Sequence, residues 1–168
     1  TEAPKVKTFV TPSGPVTATT QTVEPVPQEV VVVSGEQVKQ FEDSALRGWD
    51  FIATYLGHEV RISLERLDEA FRAWQAESPR RYSDQEVVQT LGAYLGQRLA
   101  SDLDMEWVTV TDEYGTDYAV RSRHWEVLSF PFAAVSKRIE NCQCDFLVSI
   151  YHAVDHTLKS GDHMPRRA

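Results

Sequence analysis

Cysteine is nearly absent: the 168 residues contain only Cys142 and Cys144. One residue apart, the two would close a small, strained ring, so a structural disulfide is disfavoured and both are expected as free thiols. Free thiols lean toward a reducing compartment. Long apolar runs are also missing. The longest aliphatic run is Val30, Val31, Val32 and Val33, far short of the ~18 residues needed to span a bilayer or of a signal-peptide core. Membrane insertion is therefore not expected. Positive charge is scarce and dispersed: Lys and Arg total 17 against 25 Asp and Glu, a net charge of −8. Adjacent basic residues occur only at Arg80–Arg81, Lys137–Arg138 and Arg166–Arg167. A nucleic-acid binder needs a basic stripe to neutralise phosphates, so nucleic acid is not an expected partner.

Aromatic residues are missing from the start of the chain. The first 36 residues hold Phe9 alone and five of the eight prolines, whereas all four tryptophans and all six tyrosines follow. The chain accordingly divides into an extended Pro/Thr/Val-rich arm (1–35), a compact body (36–158) large enough for a real core, and a polar tail (159–168). Thr1 is consistent with a cytoplasmic start from which the initiator Met has been removed. The alternative is a periplasmic or secreted protein that has lost its signal.

Proline fixes φ and removes a donor, so the arm is expected to be extended or polyproline-like. Two β-prone pieces, residues 6–11 and 30–33, could pair with a sheet edge. Beyond the arm, Ser34 and Gln37 form a capping box. Val38, Phe41, Ala45, Trp49, Ile52 and Leu56 then recur at spacings of three and four, which predicts one helix ending at Gly57. Ser63 caps a second helix carrying Leu64, Leu67, Phe71 and Trp74 and ending before Pro79. Ser83 with Glu86 opens a third, with Val87, Val88, Leu91, Tyr94, Leu95 and Leu99 on one side.

From Met105 the period becomes two, a strand signature. Asp112, Glu113, Tyr114 and Gly115 supply turn chemistry. Residues 118–122 and 125–130 are predicted as two further strands. Pro131 then opens a short helix through Ile139, and Phe146, Leu147, Ile150, Tyr151, Val154 and Leu158 mark a last helix. The expected fold class is α+β: three helices, a three-stranded antiparallel meander and two helices.

Few constellations carry chemistry. Gly92 and Gly96, with Ala100 a turn further on, put small residues on one helix face, which favours close packing inside the domain. His152 and His156 stand at i and i+4 beside Asp155, a spacing able to hold a metal. No third ligand is designated, and the three fit a solvated helix face better. Cys142 and Cys144 lack the second pair that a zinc ribbon needs. Asp112, Glu113 and Asp117 crowd the hairpin turn without the spacing of a calcium loop. No phosphate-binding loop, dinucleotide fingerprint or nucleophile elbow is present.

Residues 82–140 carry a Leu-Gly-x-x-Leu-Gly helix at 91–96, then Trp107, the Asp-Glu-Tyr-Gly turn, Phe130-Pro131 and Lys-Arg-Ile-Glu at 137–140. The run resembles a family of small bacterial proteins known only as a domain of unknown function. That resemblance supplies no catalytic residues, and no cofactor is expected. The sequence is therefore read as a non-enzymatic interaction or accessory subunit. Its arm would bind a partner protein through Val6, Phe9, Val10, Val30, Val31, Val32 and Val33. The alternative is a metal-binding protein or metal-dependent hydrolase centred on His152, Asp155 and His156.

Overall fold

The computed structural model describes residues 5–11, 14–20, 27–58, 61–161 and 165–166, with the two strands before residue 21 described by their backbone. Those strands, β1 (Lys5–Thr11) and β2 (Gly14–Thr20), form an antiparallel ribbon in which Phe9 faces Val16 and Val10 faces Pro15. Proline is tolerated there because both members of a two-stranded ribbon are edge strands. The side chains of Val6, Phe9 and Val10 lie outside the described residues.

β3 (Glu29–Val32) joins the main sheet, whose order is β3, β4 (Met105–Asp112), β5 (Gly115–Ser122) and β6 (Leu128–Ser129), every pair antiparallel. The expected meander is thus present, with the end of the arm added as a fourth strand. The third predicted strand shrinks to two residues, because Ser122 Oγ accepts the amides of His124 and Trp125 and draws that stretch into a turn.

Among the described residues six helices accompany the sheet: α1 (Gly35–Leu46), α2 (Gly48–Leu56), α3 (Leu64–Ala76), α4 (Asp84–Asp102), α5 (Pro131–Glu140) and α6 (Leu147–Ser160). The serine caps form: the Ser34, Ser63 and Ser83 side chains each accept the expected amide, and Ser83 and Glu86 complete a capping box. The box expected of Ser34 and Gln37 is only half made, because Gln37 Oε1 accepts the Tyr118 hydroxyl instead. The single helix expected from Val38 to Leu56 is instead two, jointed at Arg47. A Cβ on Gly48 would stand 2.6 Å from Ile62 Cδ1, so the bare glycine both weakens the helix and admits Ile62. The break shifts the helical phase, and Trp49, expected in the apolar stripe, is 45 % exposed.

Strand alternation divides the core. Met105, Trp107 and Val120 face the helices and pack with Phe41, Phe71, Trp74, Leu91 and Leu95. Val108, Val110 and Ala119 form a smaller cluster on the opposite face with Val30, Leu128 and Phe130. The glycine row of α4 makes the close approach expected of it. A Cβ on Gly96 would lie 2.1 Å from Trp107 Cη2, and one on Gly92 would lie 2.5 Å from Phe132 Cδ1 and 3.0 Å from the Phe132 Cα.

Candidate interaction surfaces

Among the described residues no three His, Cys, Asp or Glu side chains group closely enough to hold a metal. His152 and His156 are exposed on α6, and Asp155 is bound by Lys159 Nζ at 2.8 Å. Cys142 and Cys144 are free. Burial, then the nearby Asp145 carboxylate, pushes the Cys144 thiol up, away from the reactive thiolate.

Two carboxylates that the sequence did not single out are structural. Asp68, inside α3, accepts the amides of Phe146, Leu147 and Val148 at 3.1, 3.0 and 3.1 Å, capping α6 from another helix. Burial raises its pKa, and the three amides work against that shift. Glu106 lies under three guanidiniums: Arg166 Nη1 at 2.7 Å and Arg121 Nη2 at 3.0 Å on Oε1, and Arg123 Nη1 at 3.1 Å on Oε2. Burial pushes Glu106 up, but the arginines outweigh it and hold its carboxyl below the usual range. The Arg166 amide also donates to the His124 carbonyl at 2.8 Å, so this part of the tail is pinned to the sheet rather than loose. Period-two alternation puts Glu106 on a strand but gives no sign of its partners, which come from β5, the turn after it and the tail.

The surfaces left open are of another kind. In β3 the Val33 amide donates to the Trp107 carbonyl at 3.1 Å. Main-chain groups in an antiparallel pair alternate in direction, so those of Val31 point toward β4 and those of Val30 and Val32 point away from it. No strand lies beyond β3 among the described residues. Val31 and Val32 are 51 % and 55 % exposed, whereas Val30 and Val33 pack against the two core clusters. Val30, Val31 and Val32 thus share one edge strand with Val33 directly after it, while Val6, Phe9 and Val10 belong to the separate ribbon. A second opening, of about 390 Å³, lies between the α1–α2 joint and α4, lined by Leu46, Trp49, Ile62, Tyr94, Gln97 and Arg98. Its origin is the Arg47 joint, which the helical periodicity did not reveal.

An antiparallel sheet with its main helical layer on one face defines the class. Residues 71–151, from α3 into α6, match the family described as "Domain of unknown function (DUF3806)". This match includes the whole segment, 82–140, that carries the resemblance to a family known only as a domain of unknown function. No curated protein matches the chain. A crystal structure from Bacteroides thetaiotaomicron VPI-5482 superposes with a TM-score of 0.59 at 16% identity, covering 83% of this chain and 52% of that one. The likeness is one of fold, and the chain spans about half the length of that protein. No helix among the described residues is long and apolar enough to cross a membrane.

Proposed function

We propose that this protein is an interaction or accessory subunit whose arm engages a partner protein at β3, by addition of an extended segment of the partner to the sheet. One observation carries the reading: β3 is an edge strand with the main-chain groups of Val30 and Val32 directed outward and the side chains of Val31 and Val32 half exposed. Strand addition satisfies such groups with main-chain hydrogen bonds, and alternate side chains confer the choice of partner. The scarcity of clustered positive charge favours a protein over a nucleic acid.

Val32→Pro supplies the test. The ring removes an outward amide and leaves the bonds made by Val31 and Val33 to β4 in place. Chains co-purifying stoichiometrically with the wild-type protein from its source cell should be lost with this variant, while its melting temperature stays close to wild type. A partner retained at full occupancy by a folded Val32→Pro protein would refute the reading.

A further inference from the structure

The sheet has a second open edge. The two-residue turn between β4 and β5 makes Asp112 and Gly115, Val110 and Asp117, and Val108 and Ala119 mutually hydrogen-bonded pairs. The main-chain groups of Thr116, Tyr118 and Val120 therefore point away from β4. Val120 faces Ser129 of β6, and the Ser122 amide donates to the Val127 carbonyl at 2.9 Å. β6 ends at Ser129, and Pro131 turns the chain into α5, which opens without a side-chain cap. Nothing among the described residues pairs with the outward groups of Thr116 and Tyr118.

Two cavities meet at this free half of β5, sharing Thr116, Asp117 and Ala133. One, of about 240 Å³, lies on the helix-facing side and reaches Phe41 and Phe132. The other, of about 470 Å³, is lined by Val110, Asp112, Tyr114 and Phe130. Among the described residues no Lys or Arg lines either cavity. Asp112, Glu113 and Asp117 have no ion pair among the described residues, and Tyr114 is 86 % exposed beside them.

We infer that this groove, between the free half of β5 and the first turn of α5, binds an extended peptide in which basic and apolar residues alternate. Such a segment supplies the carbonyl and amide that Thr116 and Tyr118 lack. Successive side chains of a strand point to opposite faces. Apolar ones then enter the cavity walled by Phe41 and Phe132, and basic ones meet Asp112 and Asp117, with Tyr114 available to a cation through its ring face. The complementarity is electrostatic as well as apolar, since a charged rim steers and orders a ligand more than it tightens it. The site is separate from β3, and failure of strand addition there leaves it standing.

The probe is the fluorescently labelled, terminally blocked peptide Lys-Val-Lys-Val-Lys-Val, with Glu-Val-Glu-Val-Glu-Val as its charge-reversed counterpart. Anisotropy gives the affinity, and amide chemical shifts of the labelled protein give the place. The lysine peptide should bind and shift Thr116 and Tyr118, and the glutamate peptide should bind at least about tenfold more weakly. Thr116→Pro removes an outward amide and leaves the main-chain β4–β5 bonds in place, losing only the Thr116 Oγ1 to Thr111 Oγ1 contact at 2.8 Å across the pair, and should abolish binding in a folded protein. Asp117→Asn should weaken the lysine peptide and flatten its salt dependence. No binding of the lysine peptide at millimolar concentration overturns the inference. So do equal affinity for both peptides, undiminished binding to Thr116→Pro and Asp117→Asn, and shifts confined to Val30 and Val32.

Discussion

At one end of the β4–β5 ladder Glu106 is flanked by Arg121, Arg123 and Arg166, with its side chain 13% exposed. At the other end Asp112, Glu113 and Asp117 have no cation opposite among the described residues, and Tyr114 stands exposed between them. The first end is closed from both faces, by the tail through Arg166 and by Trp107 seated on Gly96. The second presents main-chain groups and acids to solvent. A largely buried carboxylate must be neutralised or it costs free energy, whereas exposed carboxylates cost little and remain available to a ligand. The same residue type therefore serves architecture at one end and recognition at the other.

The sharpest way to break this contrast is through the closed end. Gly96→Leu puts side-chain atoms where Trp107 Cη2 and Cζ2 already lie, and overpacking of that kind should destabilise by about 3 kcal/mol or more. Gly92→Leu, against the Phe132 backbone, should cost about 1–3 kcal/mol. Denaturant unfolding measures both. If either glycine were free on that face, the substitution would raise helix propensity and the midpoint would rise instead.

Glu106→Ala should cost about 2–3 kcal/mol, because hydrogen bonds to a charged group are lost and Arg121 is left largely buried without its counterion. A loss within the range of surface substitutions, about 0.5 kcal/mol, would mean that the arginines re-pair with solvent at no cost. The same carboxylate sets a pH dependence. Its folded pKa is lowered, so its contribution is complete above the ordinary glutamate value of about 4.3. That contribution is lost as the pH falls from there through the depressed folded value. The acid limb of stability against pH should be shallower in Glu106→Gln, measured by thermal melts from pH 6 down to about 3.

The smallest effect belongs to the open end. Combined Asp112→Asn, Glu113→Gln and Asp117→Asn should change stability by no more than about 0.5 kcal/mol, since Asn at 112 can still accept the Tyr114 amide now bound by Asp112 Oδ1 at 2.8 Å. A destabilisation as large as that of Glu106→Ala would erase the distinction between the two ends.

The α+β class, the serine-capped helix starts, the Asp112-to-Gly115 turn and the tight packing of Gly92 and Gly96 followed from the sequence by itself, because each is a local signal within one turn or one strand. The family resemblance rests on the same segment, 82–140. Tertiary structure alone decided the rest. The Arg47 joint depends on Ile62 entering beside Gly48, a contact fourteen residues away that no periodicity encodes. Asp68 looked like a polar position on a helix until α6 arrived with three unpaired amides to satisfy. Glu106 alternates like any strand residue, and its arginines gather only when β5, its following turn and the tail converge on it. The open edges at β3 and β5 are likewise properties of pairing: which main-chain groups face outward is set by strand register and by where β6 stops, and neither is written in any single segment.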